Sequence, residues 1–182
     1  ISYACSDPNE QDFEDETVVI IDKDDEESET YDLSIKITCE GNSWIEGDPA
    51  ATLNMIASGG IKNWTNSNYK IRTYFYAETT GSIEVGIRAR FPSASSTIKA
   101  TLGSVTQEVT FTQSTNYSDY FIGKFPIEIG YHFIELQGTS KEGNTFGEVS
   151  DILLGESSWA SKIKFIPEDN MKRAGTISRL QR

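Results

Sequence analysis

The chain has 182 residues, of which 37% are hydrophobic and 24% are charged, and it contains two cysteines and one histidine. This length accommodates one domain with appended segments. The formal net charge of −12 argues against a nucleic acid as partner, because the phosphates would be repelled. No run of apolar residues is long enough to span a bilayer.

The negative charge is concentrated near the N-terminus, where residues 7–30 contain twelve acidic residues and one lysine. We interpret residues 6–30 as an acidic, disordered tether, because they hold too few apolar side chains to offset the entropy lost on ordering. Residues 31–170 carry the patterns of a folded domain. Residues 171–182, with four basic residues and no acidic one, read as a solvated basic tail.

The first residues, Ile-Ser-Tyr-Ala-Cys, resemble the cleavage site of a bacterial lipoprotein signal peptide. On this interpretation residues 1–5 comprise a signal-peptide remnant, residues 1–4, and Cys5, which would be the lipid-modified first residue of the mature protein. Asp7, Glu10 and Asp12 then resemble the export signal of surface lipoproteins in Bacteroides-like bacteria. We therefore expect a lipid-anchored protein of the cell envelope or surface, or otherwise a secreted one. The alternative is an ordinary free cysteine.

The rest of the chain shows repeated period-two alternation of apolar and polar residues, which predicts β-strands. The clearest case is Ser82–Phe91, with Ile83, Val85 and Ile87 on one face. The predicted strands are residues 32–39, 70–77, 82–91, 97–102, 105–112, 117–125, 130–136, 149–154 and 162–166. In the first of these strands Cys39 has core parity, so a disulfide with a tether cysteine is not expected. Pro49–Ala57 is the one predicted helix, with Pro49 just after a capping Asp48.

Turn residues separate these strands. Residues 79–81 and 103–104 are predicted as short hairpin turns, and residues 115–116 as a longer loop. Residues 130–155 read as strand, loop and strand, and we expect them to close the fold. Strands of this length and spacing favour an all-β protein, an antiparallel β-sandwich or jelly roll with at most one short helix.

Three stretches resemble galactose-binding-like β-sandwiches, the fold of many carbohydrate-binding modules. They are Thr80–Val85, Gly130–Leu136 and Val149–Leu154. Trp64, Tyr74-Phe75-Tyr76 and residues 130–146 resemble, more narrowly, a secreted Bacteroides-type domain of unknown function (DUF5077-like). The likeness spans residues 31–156 and implies a galactose-binding-like sandwich. That domain usually precedes a second one, which makes a C-terminal partner domain an expectation, although residues 172–182 do not look like the start of one.

Sugar binding needs flat apolar rings beside hydrogen-bonding groups, because a pyranose presents C–H faces and hydroxyls. The loop from residue 63 to residue 69 combines amides with two aromatic side chains, and two tyrosines share one face of the following strand. The predicted ligand-binding residues are Asn63, Trp64, Asn66, Tyr69, Tyr74, Tyr76 and Trp159. The alternatives are half-buried sandwich tryptophans and tyrosines that pair across strands.

Catalytic and metal sites have weaker support. His132 is the only histidine and has the parity of Ile134 and Leu136, so we expect it at the core rather than as a general base. We predict no catalytic residue and no transition-metal site. Carboxylate pairs such as Glu78 with Glu84, or Asp119 with Glu128, leave a glycosidase open. Related modules often hold a structural calcium, for which Glu40 and Asp151 are the loosely matching positions.

We therefore predict a non-catalytic carbohydrate-binding module of a secreted or surface lipoprotein, binding a polysaccharide or other glycan through loop aromatics and amides. The first alternative is a structural or interaction domain whose aromatic side chains pack against a partner domain. The second is part of a glycoside hydrolase.

Overall fold

The structure is a computed structural model that describes residues 31–165. The predicted signal remnant with Cys5, the acidic tether and the basic tail lie outside the described residues. Two antiparallel six-stranded sheets bury one continuous apolar cluster, which makes the fold the predicted β-sandwich. Within the described range no helix is both long and apolar enough to cross a membrane.

The first sheet is built around two central strands that pair with each other. Its strands in chain order are β1 (Ile35–Thr38), β3 (Ile56–Ala57), β4 (Gly60–Ile61), β6 (Gly81–Phe91), β9 (Ser114–Ile127) and β11 (Glu148–Leu154). Strand β11 pairs with β6 on one side and with β1 and β4 on the other. Strand β9 forms the edge beyond β6.

The second sheet has the same size. Its strands in chain order are β2 (Ser43–Ile45), β5 (Lys70–Ala77), β7 (Ser96–Leu102), β8 (Val105–Phe111), β10 (Gly130–Lys141) and β12 (Ile163–Phe165). Strand β10 pairs with β5 on one side and with β7 on the other, and β8 is the edge next to β7. Strands β2 and β12 both pair with the other side of β5.

The pleat of each strand sends alternate side chains into the core. In β6 the buried set is Ile83, Val85 and Ile87, as the sequence predicts. In β5 it includes Ile71 and Phe75. Because both sheets contribute such rows, the apolar interior lies between them, and each sheet has one outer face that is not part of the core.

One predicted connection is confirmed and others differ from the structure. The turn at residues 103–104 joins the paired strands β7 and β8 and is confirmed as a hairpin. The turn at residues 79–81 is not a hairpin, because it carries the chain from β5 in the second sheet to β6 in the first. Likewise β10 and β11, the strands of residues 130–155, lie in opposite sheets. Residues 115–116, predicted as a loop, lie within the long strand β9.

The predicted helix is present as α1, Pro49–Met55. Its start follows from local chemistry: the Asp48 carboxylate accepts a hydrogen bond from the Ala51 amide at 2.8 Å, and Pro49 occupies the first turn, where a missing N–H costs nothing. Thr52 anchors the helix to β2, since its hydroxyl accepts from the Ile45 amide at 2.9 Å.

The outer face of the first sheet is partly covered by the segment that leads into β1. Tyr31 stacks on Phe121 of β9, with ring centroids 3.6 Å apart and planes 2° from parallel. Leu33 lies over Gly86 of β6, at a point where any Cβ would collide with it. This face is therefore occupied in part by the chain itself.

Gly60 allows β4 to pack against β11, and this close approach can be tested. A Cβ on Gly60 would lie 2.3 Å from the Val149 carbonyl oxygen, and Gly60 has a φ of +102°. We expect Gly60→Ala to lower the free energy of unfolding by about 1 kcal/mol for backbone strain and by about 1–3 kcal/mol more for the collision. Urea denaturation measures the change.

The matched control for this variant is Gly47→Ala. Gly47 also has a positive φ, +72°, but a Cβ there meets nothing within 4 Å. It should show the strain cost alone, about 1 kcal/mol. Equal losses in the two variants would contradict the packing of β4 on β11.

Candidate functional site

The side chains of β5 that do not enter the core lie on the outer face of the second sheet, and they are polar or aromatic. Because Ile71, Thr73 and Phe75 point inward, Arg72, Tyr74 and Tyr76 point outward. Strand β10 pairs in register, with Phe133 opposite Tyr74 and Tyr131 opposite Tyr76. The alternation of two strands thus places four aromatic side chains side by side, next to the charged Arg72.

A row of three rings crosses the sheet from β2 to β10. The ring centroid of Tyr74 lies 5.7 Å from that of Trp44 and 5.6 Å from that of Phe133, at interplanar angles of 59° and 56°. Tyr74 is only 6% exposed, although it lies on an outer face, because its two neighbours flank it. These three side chains form a small apolar cluster separate from the main core.

A pair of tyrosines lies next to this row on the same two strands, β5 and β10. Tyr76 and Tyr131 have ring centroids 4.9 Å apart at an interplanar angle of 71°, and Tyr131 is 40% exposed. We call the five side chains the outer aromatic face: they are Trp44, Tyr74, Tyr76, Tyr131 and Phe133. It combines a buried centre with partly exposed rings at its margins.

Arg72 lies between the rings and two carboxylates. Its guanidinium stacks over Phe133, 4.4 Å from the ring centroid, donates to Glu135 at 2.8 Å and approaches Glu46 at 2.5 Å. Burial lowers the pKa of Arg72, but the hydrogen bond and charge of Glu135, with Glu46, outweigh burial and raise it. Arg72 is thus a fixed cation with its donors directed at protein groups.

Polar groups border both ends of the outer aromatic face. Lys164 of β12, opposite Tyr76 in register, forms an ion pair with Glu78. At the other end Gln137 of β10 donates to the Ser67 carbonyl at 2.9 Å. That bond ties the amide-rich loop of residues 63–69 to the same sheet.

Within that loop the predicted residues have different surroundings. Asn63 is exposed and has a φ of +53°. The Asn66 side chain accepts from the Asn68 amide at 2.9 Å, and its carbonyl accepts from the Tyr69 amide. Tyr69 is half-buried against the core. The loop therefore offers amides at the surface but no fully exposed ring.

The expectation that Trp64 and Trp159 present exposed rings is wrong. Trp64 is 0% exposed and packs against Phe146, with centroids 5.4 Å apart. Trp159 is 8% exposed and lies against Gly81 and Gly155, which have no side chain. Both indoles fill the sandwich interior, so neither ring is accessible to a sugar in this structure.

Of the predicted binding residues, the structure brings Tyr74 and Tyr76 together on the outer aromatic face. Sequence reasoning did not assign Trp44, Tyr131 or Phe133 to a binding site. The alternation in β10 predicts that Tyr131 and Phe133 share a face, but the sequence does not show which strand pairs with β10. Strand β2, which carries Trp44, is only three residues long and gave no periodic signal.

His132 and the loosely matched calcium positions have local partners. His132 is half-buried rather than part of the core; it packs on Phe75 and donates from Nε2 to the Glu128 carbonyl at 2.7 Å. Glu40 accepts from the Gly59 amide at 3.2 Å. Asp151 accepts from the Ser150 hydroxyl at 2.6 Å. Across residues 31–165 no three His, Cys, Asp or Glu side chains group in a way that could hold a metal ion.

Cys39 is a free, fully buried thiol, at the core position that its parity predicts. Burial raises the pKa of Cys39 from 9.0 to about 12; a hydrogen bond with Ser43 acts against this rise and the charge of Asp151 adds to it. The thiolate form, which nucleophilic chemistry requires, is therefore disfavoured.

Comparison with known protein families assigns a family to this chain. The family model described as "Domain of unknown function (DUF5077)" matches residues 37–159. The chain belongs to this DUF5077 family. A search of curated proteins finds no sequence match.

Several solved structures similar to this DUF5077 chain are carbohydrate-binding modules, alone or within an enzyme. A family 35 carbohydrate-binding module from an environmental isolate matches with a TM-score of 0.51 and 13% identity, over 75% of this chain and 96% of that one. The module CBM35 from Paenibacillus barcinonensis matches with a TM-score of 0.51 and 15% identity, over 68% and 99%. At these identities the likeness shows the fold.

A larger enzyme contains the same fold as one part. The Podospora anserina GH26-CBM35 β-(1,4)-mannanase matches with a TM-score of 0.53 and 16% identity, over 68% of this chain. The match covers only 27% of the mannanase chain, so its activity as a whole protein does not transfer through this likeness.

The raised pKa of Cys39 predicts a loss of stability in alkali. Above pH 9.0 the unfolded thiol ionises while the folded one, with a pKa of about 12, stays protonated, so the unfolded state gains stability as pH rises. Both proteins in the test carry Cys5→Ser, so that Cys39 is the only cysteine in the first and the second has none. Between pH 9.0 and about 12, the unfolding equilibrium constant of the protein that keeps Cys39 should rise by up to about tenfold more per pH unit than that of the Cys39→Ala variant. Urea titrations of both variants at several pH values measure this, and identical pH slopes would contradict it.

The burial of Trp64 predicts a structural role. Trp64→Ala should lower the free energy of unfolding by about 3–5 kcal/mol, because it leaves a large cavity beside Phe146. Trp44→Ala, which removes a half-buried ring from the outer aromatic face, is the control and should cost less than half as much. Urea denaturation compares the two, and a small loss for Trp64→Ala would contradict its place in the core.

Proposed function

We propose that this chain is a non-catalytic carbohydrate-binding module that binds glycan on the outer aromatic face. The observation that carries the proposal is a set of aromatic side chains exposed, in part, on the outer side of a sheet. A soluble domain normally keeps such rings inside, and Tyr131 at 40% exposure leaves apolar area for a ligand to cover.

The chemistry of the face suits a sugar. The C–H faces of a pyranose pack on phenol and indole rings, and its hydroxyls need hydrogen-bonding partners. Trp44 supplies a half-buried ring beside the buried Tyr74, and Tyr131 supplies a ring that is 40% exposed beside Tyr76. Glu46, with a side chain 44% exposed, supplies an acceptor beside them. Apolar platforms and a polar group therefore occur within one surface.

The fold likeness supports the same function without establishing it. Two similar structures that match almost over their full length are carbohydrate-binding modules. Fold alone does not fix function, so the rings and their exposure carry the argument. The proposal also includes attachment at the cell surface through a lipid on Cys5, and it rests for this part on the Ala4-Cys5 pattern and the acidic residues that follow.

Four carboxylates near the outer aromatic face and on the first sheet are engaged in ion pairs. A glycosidase needs one protonated carboxylic acid and one free carboxylate on either side of the scissile bond. Glu46 and Glu135 instead share one guanidinium, that of Arg72. Glu78 pairs with Lys164, and Glu84 pairs with Lys124 on the other sheet. This is the arrangement of structural ion pairs, which favours binding over hydrolysis.

The alternative of an interaction domain has one observation in its favour. Ile129 is 62% exposed at the turn just before Tyr131, and an exposed aliphatic side chain beside exposed aromatic rings also suits a protein partner. A partner domain packed there would cover the rings and exclude a glycan. Failure of the isolated domain to bind any glycan would favour this alternative.

Affinity electrophoresis in gels that contain soluble polysaccharides tests the proposal. We expect retention by at least one of them, and about tenfold weaker binding for Tyr131→Ala and for Trp44→Ala, because each removes about 1.4 kcal/mol or more of ring contact. Circular dichroism and urea denaturation show whether each variant is folded.

The matched control is Tyr31→Ala. Tyr31 is 44% exposed, close to the exposure of Tyr131, but it lies on the other sheet against Phe121. Its loss should leave glycan retention unchanged. Equal retention of all three variants would move the site away from the outer aromatic face, and no retention of the unmodified domain on any glycan would overturn the proposed function.

A further inference from the structure

We propose that the outer aromatic face selects a single, uncharged glycan chain, in preference to an anionic polysaccharide or a crystalline polysaccharide surface. This inference rests on the proposed function and adds a ligand class to it. Two independent features carry it: the inclination of the rings to one another, and the pairing of the cations that lie among them.

The rings do not share a plane. Trp44 and Phe133 are inclined to Tyr74 by 59° and 56°, and Tyr131 is inclined to Tyr76 by 71°. The flat surface of a polysaccharide crystal can stack on several rings at once only where those rings are coplanar. Inclined rings instead meet one chain from different sides, so that each ring contacts a different sugar unit or a different edge of it.

The spacing of the row agrees with a chain that crosses the strands. The centroids from Trp44 to Tyr74 and from Tyr74 to Phe133 are 5.7 and 5.6 Å apart, a step comparable with the length of one hexose unit. The central ring is buried and the outer two are half-buried. A chain along this row would contact rings at both ends and pass over the centre.

The charges among the rings oppose an anionic ligand. Arg72 is paired with Glu46 and Glu135, and Lys164 is paired with Glu78. A uronate or sulfate would have to displace one of these carboxylates and would then be repelled by the group that it displaced. Among these paired groups, three carboxylates face two cations.

The same carboxylates suit the hydroxyls of a neutral sugar. A carboxylate has about four acceptor positions, and the guanidinium of Arg72 occupies only some of those on Glu46 and Glu135. Glu46 is the more accessible of the two, with a side chain 44% exposed against 12% for Glu135. We therefore assign to Glu46 the role of hydrogen-bond acceptor for hydroxyls of the bound chain.

The test compares three kinds of probe on the unmodified protein. Galactomannan and mixed-linkage β-glucan are neutral and soluble, polygalacturonate and chondroitin sulfate are anionic, and microcrystalline cellulose and chitin are insoluble. We expect binding to a neutral soluble chain, with an affinity that changes less than about twofold between low and high salt, because no net charge is neutralised. Weak or absent binding is expected for the other two kinds.

A charge variant tests the assignment of Glu46. Glu46→Gln keeps the shape of the side chain and removes one carboxylate partner of Arg72. It should increase retention by polygalacturonate severalfold, in a salt-sensitive manner, and should weaken neutral binding a fewfold, because an amide oxygen is a weaker acceptor than a carboxylate. The control is Glu108→Gln, on β8 of the same sheet and opposite Lys99 in register, which should change neither.

The outcomes separate the two proposals. Binding that is strongest for an anionic or a crystalline probe would overturn the inference and leave a carbohydrate-binding function in place. Absence of binding to all three kinds of probe would overturn the proposed function, and the inference with it. Unchanged polygalacturonate retention in Glu46→Gln would contradict the part assigned to Arg72 and Glu46.

Discussion

The pairing of β5 with β10 is the constraint on which both the core and the outer aromatic face depend. Because the pleat alternates, the register that places Phe75 and Ile134 in the core also sets Tyr74 opposite Phe133 on the outside. A shift of one residue would turn Arg72 into the apolar interior and expose Phe75. The buried side therefore specifies the outer side, and the arrangement of rings needs no loop to hold it in place.

Arg72 stabilises a small apolar cluster in a location where solvent would otherwise reach it. Its guanidinium covers Phe133 while Glu135 and Glu46 accept its N–H groups. A half-buried cation loses hydration, and two carboxylates with near-ideal contacts offset that loss. Lysine could not reproduce the planar stack together with two directed hydrogen bonds. The pair of carboxylates thus serves first to position Arg72, and only their remaining acceptor sites face solvent.

Period-two alternation allowed much of the fold to be predicted from sequence, and it failed where the outcome depended on contacts between distant residues. It identified β5 with its observed bounds and the core position of Cys39. It could not show that β5 and β6 lie in different sheets, since a glycine-containing turn suits a hairpin and a crossover alike. Trp64 illustrates the same limit for the candidate site: a polar loop around it indicated exposure, yet the ring enters the core to meet Phe146, some eighty residues later in the chain.

The two outer faces of the sandwich show why one of them is the better candidate for a ligand. On the first sheet the chain covers its own surface, since Tyr31 stacks flat on Phe121 and Leu33 lies over Gly86. On the second sheet the ring of Trp44 is half-buried and Tyr131 is 40% exposed. Ring area that the fold leaves uncovered contributes little to stability, because its apolar surface stays in water. It is therefore better explained by contact with a ligand than by the packing of the domain itself.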